Sequence, residues 1–297
     1  MGFINKYRKG VPFPKKLLED FIYRIRYAFL FFRNGFQVKT VLFYPDYPSK
    51  RSVLYKLLRI LKYNRTNNPG KKFDLAIHWD IQTFRKDQPL LKRINGDRHV
   101  INIGCTDISK KHIDEIHQQV FHYGTLVDPT IYRGKCVMKS NLNALHDGRI
   151  IDCPVTAVDN SCIYQLVINN QVDADTVEDI RIPVIGEEMP LGYLNYKPVT
   201  ARFGSYMRFN SKVRKKEVIR PGDIFSPDEI AHIREFLKRL KMDYGELDIL
   251  RNRDDGKIYI VDANNTPTGP SHLDSLSRKE ALKQLAASFH RQFLAMY

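Results

Sequence analysis

The segment covering residues 246–261 constrains the fold of this chain most strongly. It contains two short apolar-rich runs, residues 246–250 and 257–261, separated by the polar sequence NRDDG. Two such runs joined by a polar turn that contains glycine predict a β-hairpin. The chain is therefore expected to contain antiparallel strand pairing in its C-terminal half.

Three oxygen-bearing side chains cluster on this hairpin. Asp262 ends the second strand, and Asn264 lies two residues beyond it, so both point to the same side of an extended chain. Asp248 reaches that side from the first strand. Two carboxylates and one amide form the all-oxygen set that Mg²⁺ takes when it also bridges nucleotide phosphates. We therefore predict a magnesium site at Asp248, Asp262 and Asn264, with an ordinary acidic hairpin end as the alternative.

The first half of the chain alternates strands and helices. Apolar runs predict strands at residues 38–44, 73–79 and 99–103, and helical spacing predicts helices at residues 52–63 and 109–122. Strands that alternate with helices indicate a layered α/β domain, which we place at residues 36–125.

The second half has the pattern of an antiparallel sheet followed by helices. Strands are predicted at residues 135–139, 150–154, 163–168, 180–185 and 191–196. Ser226 and Glu229 form a capping box around Pro227, which predicts the start of a helix that runs to about residue 241. Ser277 and Glu280 predict a second box and a last helix to about residue 295.

The basic charge is concentrated at the N-terminus. Residues 1–72 contain 17 Lys/Arg and 3 Asp/Glu, a net charge of +14, out of +15 for the whole chain. A basic segment attracts polyanions, such as nucleic acid, anionic lipid or an acidic polymer. We find no nucleic-acid-binding motif, so nucleic acid is not expected as a partner.

Residues 15–35 predict a basic amphipathic helix, within an N-terminal segment of residues 1–35. Its apolar residues fall at helical spacing on one face: Leu18, Phe21, Ile22, Ile25, Ala28, Phe29 and Phe32. Two interpretations remain open. The face packs against the core of the α/β domain, or it lies on an anionic membrane surface.

Several protein classes are excluded by composition. No run approaches the roughly 20 apolar residues of a membrane-spanning helix, and no secretory signal is predicted. The four cysteines show no C-x-x-C spacing, so a zinc site is not expected and free thiols in a reducing cytosol are favoured. We expect a cytoplasmic protein, with a peripheral position at the inner membrane face as the alternative.

The segment of residues 245–272 resembles the metal-binding end of the ATP-grasp superfamily, and most of all the D-alanine–D-alanine ligase type. There, a strand aspartate, a hairpin turn and then Glu-x-Asn before a Pro/Gly loop bind the Mg²⁺ ions of ATP. Asp248, Asp262 and Asn264 match these positions, although the family more often has glutamate where Asp262 stands. The resemblance implies an α/β ATP-grasp fold, with the ATP-grasp domain at residues 126–297 and a pre-grasp domain before it.

The resemblance extends upstream to a phosphate-contacting strand and loop. Lys139 matches the strand lysine that contacts the ATP phosphates, which implies both a cofactor-binding and a catalytic role. Ser140 and Asn141 begin the loop of residues 140–148 that would fold over the phosphates. An earlier phosphate lysine is expected at Lys110 or Lys111.

The adenine and ribose positions follow in the family's order. Gln165, Leu166 and Val167 resemble the strand that holds the adenine edge. Glu178 or Asp179 would bind the ribose hydroxyls, and the sequence does not choose between them. Arg181 would face the phosphates as a catalytic residue, with a cross-strand ion pair as the alternative.

The resemblance implies an ATP- and Mg²⁺-dependent ligase that activates a carboxylate as an acyl phosphate for attack by an amine or a similar nucleophile. Family members often bind their second substrate through the region that here contains Arg202, Arg208, Lys212 and Arg214. We therefore expect an anionic co-substrate, such as an acidic glycan or its lipid-linked precursor. His146 and His272 lie near the motifs and are expected to cap or pack.

Two other functions remain open at this point. An ATP-grasp kinase that phosphorylates a hydroxyl, as inositol-phosphate kinases do, would need the same metal and lysine positions. A non-catalytic protein that binds nucleotide or polyanion is the third hypothesis, supported by Asp262 in place of glutamate and by a loop poor in glycine.

Overall fold

A computed structural model describes residues 13–145, 147–202, 213 and 215–295. Its first part alternates helices and strands: α1 (Phe13–Arg33), β1 (Thr40–Pro45), α2 (Val53–Ile60), β2 (Asn64–Thr66), β3 (Leu75–Trp79), α3 (Pro89–Asp97), β4 (Val100–Ile101) and α4 (Lys110–Phe121). The four strands form a parallel sheet in the order β2-β1-β3-β4. The predicted α/β character is confirmed, whereas β2 and α3 were not predicted.

The second part contains two antiparallel sheets. The smaller consists of β5 (Gly134–Ser140), β6 (Arg149–Cys153) and β7 (Cys162–Leu166) in the order β6-β5-β7. The larger has the order β10-β9-β8-β11-β12 and consists of β8 (Thr176–Ile185), β9 (Gly192–Pro198), β10 (Lys215–Ile219), β11 (Tyr244–Arg251) and β12 (Ile258–Asn264). Its helices are α5 (Pro227–Leu240) and α6 (Ser275–Phe293). The predicted β11–β12 hairpin is confirmed.

Two buried cores hold these layers together. In one core, α2 and α6 pack on the parallel sheet, with Leu57 and Phe289 fully buried. In the other, α4 and α5 pack on one face of the five-stranded sheet, with Ile113 and Phe236 among the buried residues. The predicted domain boundaries stay predictions, and helix packing crosses residue 125, since α4 packs on the later sheet and α6 on the earlier one.

The helix starts show one correct capping prediction and one wrong prediction. Ser226 Oγ accepts the Glu229 N–H at 3.1 Å, and Glu229 Oε2 accepts the Ser226 N–H at 2.9 Å, so this capping box is confirmed. The box predicted at Ser277 is wrong. The N-cap is Asp274, three residues earlier, because its carboxylate accepts the N–H groups of Leu276 and Ser277 at 2.9 Å each. A carboxylate is a strong N-cap acceptor and also interacts favourably with the helix dipole.

Helix α1 lies beside β2 at the edge of the parallel sheet. Its aromatic face is exposed: 60% of Phe21, 59% of Phe29 and 70% of Phe32 is accessible to solvent. The interpretation in which this face packs on the α/β core is therefore wrong. Within the described ranges, no helix combines the length and the apolar character needed to cross a bilayer.

Candidate active site

A cavity of about 230 Å³ lies between the three-stranded and five-stranded sheets. Aliphatic side chains form part of its lining: Val137, Leu166, Ile168, Leu250 and Val261. Nine charged side chains also line it: Lys110, Lys139, Asp147, Asp179, Arg181, Lys197, Arg202, Asp248 and Asp262. An apolar surface beside converging charges suits a ligand with a flat hydrophobic part and an ionic part.

Strand register places the main charged residues in one row across the larger sheet. Arg181 on β8 lies opposite Asp248 on β11, and Asp248 lies opposite Asp262 on β12. The register then shifts, with Ile249 pairing Ile260, which leaves Val261 as the extra residue of a β-bulge. A bulge re-aims the neighbouring side chains, so Val261 and Asp262 both line the cavity.

Arg181 is held by two carboxylates on the neighbouring strand. Its Nε and Nη2 donate to Asp248 at 2.7 and 2.9 Å, and its Nη1 lies 3.2 Å from Glu246 Oε1. Burial alone would lower the pKa of Arg181, but the two carboxylates outweigh it and raise that pKa. The predicted alternative of a cross-strand ion pair is therefore present, and the pair fixes the guanidinium at the wall of the cavity.

Two lysines surround the Asp262 carboxylate. Burial is the main cause that lowers the pKa of Lys139 to about 8; Lys110 lowers it further, and Asp262 opposes the shift. The pKa of Asp262 is raised, mainly by burial and also by Asp248, although Lys110 and Lys139 oppose the shift. Of the two candidate phosphate lysines, Lys110 lines the cavity, whereas the Lys111 Nζ lies 3.9 Å from Glu115 on the outer surface of α4.

Hydrogen bonds join the described part of the loop at residues 140–148 to the start of α4 and to β12. The Asn141 Oδ1 accepts the Lys111 N–H at 2.9 Å at the start of α4, and the Asn143 Nδ2 donates to the Ala263 carbonyl at 3.4 Å. Ser140 donates its N–H to Asp147 at 3.1 Å and is buried. Ala144, Asp147 and Gly148 line the cavity, whereas the predicted cofactor-binding residues Ser140 and Asn141 do not. His146 lies outside the described residues.

Asp179 and Glu178 point to opposite sides of β8. Asp179 lines the cavity, with Lys197 Nζ at 2.5 Å from its Oδ2 and Asn170 Nδ2 donating to its Oδ1 at 2.9 Å. Glu178 instead accepts from Arg253 at 2.8 Å. Successive strand residues alternate between the two faces, so only Asp179 is directed toward the cavity.

The end of β7 forms another wall of the cavity. Gln165 is buried and donates its Nε2 to the Thr125 Oγ1 at 2.6 Å, and the Leu166 N–H donates to the Thr125 carbonyl at 2.8 Å. Gln165, Leu166 and Ile168 line the cavity, whereas Val167 is not one of its lining residues. The adenine-strand prediction therefore covers two lining residues, Gln165 and Leu166, and one residue beside them.

The predicted magnesium ligands lie on the neighbouring strands β11 and β12, with Asp248 in the middle of β11 and with Asp262 and Asn264 among the last three residues of β12. Asp248 and Asp262 lie directly opposite each other, and the Asn264 Oδ1 accepts the Thr266 N–H at 2.9 Å. No three His, Cys, Asp or Glu side chains among the described residues form a metal-ion cluster. Two carboxylates and an amide still provide the hard oxygen donors that suit Mg²⁺, so the chemistry of the set fits the ion. The roles of the three residues stay a prediction.

A second basic group lies next to Arg181, outside the cavity lining. Lys216 on β10 lies over the Tyr193 ring at 5.1 Å, and burial together with Arg181 lowers the Lys216 pKa to about 8. Burial, Lys216 and Arg278 lower the pKa of the His272 imidazole. Of the predicted substrate-binding set, Arg202 lines the cavity, whereas Arg208, Lys212 and Arg214 lie outside the described residues.

Solved structures share this arrangement of sheets. The ATP-grasp ligase PsnB, crystallised with a minimal precursor, superposes with a TM-score of 0.55 at 13% identity over 86% of this chain and 99% of that chain. The VanG D-Ala:D-Ser ligase from Enterococcus faecalis gives a TM-score of 0.53 at 10% identity over 87% of this chain and 100% of that chain. The chain has the ATP-grasp fold.

This result confirms the fold that the sequence resemblance implied. D-alanine–D-alanine ligase from Bacillus anthracis is a further structural neighbour. It superposes with a TM-score of 0.50 at 13% identity over 88% of this chain and 98% of that chain. No family model and no curated protein sequence matches the chain.

Sequence reasoning missed several polar residues in and beside the cavity: Asn195 and Lys197 line it, whereas Glu246 and Lys216 lie next to Arg181. Glu246 lies two residues before Asp248 in β11, and Asn195 and Lys197 alternate in β9. All three share the signal of polar residues at i and i+2 in an otherwise apolar strand, which places them on one face. Lys216 carried no such signal, because β10 was not predicted as a strand.

Proposed function

We propose that this protein is an ATP- and Mg²⁺-dependent ligase that activates a carboxylate as an acyl phosphate for attack by an amine or a similar nucleophile. The observation that carries the proposal is the cavity of the ATP-grasp fold, where Lys110, Lys139 and Arg181 meet Asp248 and Asp262. PsnB, which shares the fold with a TM-score of 0.54 and 12% identity, has been crystallised with Mg and ADP. That complex supports ATP and Mg²⁺ as the cofactors of this chain.

Each part of the cavity matches one part of ATP. Val137, Leu166 and Ile168 offer an apolar surface for the adenine ring, and the backbone after β7 is available to its edge. The Asp179 carboxylate is oriented by Lys197 and Asn170 and would accept hydrogen bonds from the ribose hydroxyls.

The phosphates would lie among the cationic side chains. Lys139 and Lys110 would neutralise the charge that develops on the transferred phosphoryl group, and backbone N–H groups of the loop at residues 140–148 would cover it. Arg181 needs little reorganisation to contribute, because Asp248 and Glu246 already fix its guanidinium. Mg²⁺ held by Asp248, Asp262 and Asn264 would supply additional charge neutralisation at the β- and γ-phosphates.

The co-substrate in this proposal is anionic. Lys216 lies beside Arg181, and His272 and Arg278 lie near Lys216, which makes this the position we propose for an anionic co-substrate. A carboxylate there would lie close to the γ-phosphate and would be desolvated, as phosphoryl transfer to a weak nucleophile requires. An acidic glycan or its membrane-associated precursor, at the cytoplasmic face of a membrane, is the class of substrate we propose.

The direct test follows one oxygen atom. The protein would be incubated with Mg-ATP, a panel of amines and a panel of acidic sugars whose carboxylates carry ¹⁸O. When the amine attacks the acyl phosphate, the bond breaks between the carbonyl carbon and the oxygen that links it to phosphorus. One carboxylate oxygen therefore leaves with the inorganic phosphate. We expect ADP and ¹⁸O-labelled phosphate only when acid and amine are both present.

Two other results would overturn the ligase proposal. If the γ-phosphate stays bound to a hydroxyl of the substrate, as ³¹P NMR would show, the protein is an ATP-grasp kinase. If Mg-ATP binds without turnover across the panels, the non-catalytic hypothesis gains support.

A further inference from the structure

Helix α1 contacts the rest of the protein through its polar and mixed face. Residues Tyr23, Arg26, Tyr27, Leu30, Phe31 and Asn34 are half-buried and repeat at spacings of three and four. Arg26 Nε donates to the Asn64 side chain at 2.8 Å, and Asn34 Nδ2 donates to the Lys62 carbonyl at 3.0 Å. These hydrogen bonds attach the helix to β2 and its preceding turn and set its rotation.

The opposite face is an exposed apolar stripe. We define the stripe as Leu18, Phe21, Ile22, Ile25, Phe29, Phe32 and the adjoining Phe36, all of which are exposed. At 100° per residue, the helical members cover about 100° of the helix surface, the width of a face that normally meets a core. Here the attachment turns that face away from the protein.

Such a surface departs from what a monomeric soluble protein usually shows. Single exposed apolar residues are common, but a contiguous stripe of large apolar side chains marks a site of interaction. Leu18 and Phe32 lie 14 positions apart, so the stripe extends for about 21 Å along the helix at 1.5 Å per residue.

Cationic side chains border the apolar stripe. Arg24 and Arg33 are both exposed, on opposite sides of the helix, and Arg33 lies over the Phe29 ring at 5.7 Å. The first 72 residues together carry a net charge of +14. A linear apolar stripe with a cationic border is complementary to a surface that is anionic at its headgroups and apolar beneath them.

We propose that α1 is an interfacial helix that binds an anionic phospholipid bilayer, with the stripe inserted at the level of the headgroups and the basic residues among the lipid phosphates. This proposal goes beyond the proposed function, since it does not depend on the reaction. Helix α1 would lie in the plane of the membrane, because within the described residues no helix is suited to spanning it.

Charge argues against a second copy of this chain as the occupant, and the aliphatic residues of the stripe argue against a nucleic acid. A second copy of the chain would bring two segments of net charge +14 together, and their repulsion would oppose association through the stripe. A nucleic acid would use aromatic side chains for base stacking, but Leu18, Ile22 and Ile25 alternate with the phenylalanines and cannot stack on bases.

The experiment is co-sedimentation of the full chain with vesicles. Vesicles of phosphatidylcholine mixed with phosphatidylglycerol would be compared with vesicles of phosphatidylcholine alone, at low and high salt. We expect binding to the anionic vesicles that weakens as salt rises, because exposed charges are screened within about 10 Å at 0.1 M salt. Binding to neutral vesicles should be weaker at every salt concentration.

Three variants separate the contributions. Phe21→Gln/Phe29→Gln/Phe32→Gln should lower the vesicle partition coefficient by about tenfold or more, because the apolar area is lost. Arg24→Gln/Arg33→Gln should lower it by about fivefold for each arginine and reduce the salt dependence. The matched control, Ile81→Gln/Ile131→Gln/Leu276→Gln, removes three apolar residues that are similarly exposed elsewhere, at 69%, 75% and 74%, and should bind like the parent protein.

Circular dichroism melting would establish that each variant is folded. The proposal is overturned if the folded parent protein ignores anionic vesicles at low salt, or if the control triple variant loses as much binding as the phenylalanine triple variant. It is also overturned if light scattering shows that the stripe mediates a dimer and the dimer does not bind vesicles. ATP turnover with soluble substrates should be the same in all three variants, which keeps this test separate from that of the ligase reaction.

Discussion

Two regions depart in opposite directions from the usual distribution of polar and apolar residues. One is the cavity between the two antiparallel sheets, and the other is helix α1. At the cavity wall, charged side chains lie inside the protein: Arg181 lines the cavity and its partner Glu246 has only 6% of its side chain exposed. On α1, large apolar side chains such as Phe29 and Phe32 are turned toward solvent. Elsewhere the two cores bury aliphatic and aromatic residues in the ordinary way.

The difference shows how each region uses the rest of the protein. Burying charges in the cavity costs free energy. Ion pairs between carboxylates and cations on neighbouring strands offset that cost. The α1 stripe has no such compensation within the described part of the chain, so its stabilising contacts must come from outside. A buried charge or an exposed apolar stripe is informative for this reason, whereas an exposed charge is not.

The largest effect is expected from removing one carboxylate of the cavity. Asp262→Asn should lower ATP turnover by about a hundredfold or more, since the residue would hold Mg²⁺ beside Asp248. The free energy of unfolding should change by less than about 1 kcal/mol, because the surrounding protein already disfavours the ionised carboxylate. ADP release and chemical denaturation would measure the two effects.

The matched control for that prediction is Asp255→Asn. Asp255 lies in the turn of the same hairpin, accepts the Lys257 N–H at 3.0 Å and is exposed. It should leave turnover unchanged. Normal turnover in Asp262→Asn, or a large loss of stability, would remove Asp262 from the proposed magnesium site.

The next effect concerns the stability of the cavity wall. Arg181→Ala leaves the buried Glu246 without its partner and should destabilise the protein by about 3 kcal/mol, at the lower end of the range for broken buried pairs because 30% of the Arg181 side chain is exposed. Arg253→Ala breaks the pair with Glu178 on the opposite face of the same sheet, where 39% of Arg253 is exposed, and should cost much less.

A double variant sharpens this comparison. Adding Glu246→Gln to Arg181→Ala removes the unpaired buried charge and should restore part of the lost stability. Equal losses in Arg181→Ala and Arg253→Ala would show that the cavity pair is an ordinary surface ion pair. Urea denaturation of these three variants and of the parent protein decides the matter.

The two regions also differ in how much the sequence alone could predict. The β11–β12 hairpin and its oxygen-bearing residues were predictable, because local alternation and a polar turn specify which side chains share a face. Glu246 carried the same local signal. The partner of Arg181 was not predictable, because it depends on β8 and β11 being neighbours, and that register is a property of the whole sheet.

For α1, the sequence predicted the helix and its apolar face but not the direction of that face. An amphipathic pattern normally faces a core, and only long-range hydrogen bonds such as Arg26 to Asn64 show that it does not here. The choice between Glu178 and Asp179 had the same origin. Strand alternation separates the two residues, but only the structure shows which face of β8 borders the cavity.

A smaller effect should appear in the pH dependence of ATP binding. The pKa of Lys139 is lowered to about 8, so its ammonium group is charged below that pH and neutral above it. The ATP phosphates favour the charged form of Lys139, so above pH 8 its neutral amine must take up a proton when Mg-ATP binds. The Mg-ATP affinity should therefore fall by up to about tenfold per pH unit as the pH rises further. Titration calorimetry in buffers of different ionisation enthalpy would measure the affinity and the proton uptake.

The control for the pH dependence is Lys139→Arg. A guanidinium keeps its charge throughout this range, so the variant should bind Mg-ATP with an affinity that no longer falls above pH 8. Lys216, whose pKa is also about 8, lies outside the cavity lining, so Lys216→Arg should keep the pH dependence of the parent protein. If Lys216→Arg abolished the pH dependence and Lys139→Arg kept it, Lys139 would not contact the phosphates.

The smallest effect is expected for Phe29→Ala, with the buried Phe289 as the comparison. Phe289 in α6 is fully buried, and Phe289→Ala should lower the free energy of unfolding by about 3–5 kcal/mol through lost contacts and a cavity. Phe29 in α1 has 59% of its surface exposed, and Phe29→Ala should change that free energy by less than about 0.5 kcal/mol in the absence of membranes. Urea denaturation measures both. A loss for Phe29→Ala close to that of Phe289→Ala would mean that the stripe packs against the protein itself, and α1 would then be a core helix whose apolar face needs no external surface.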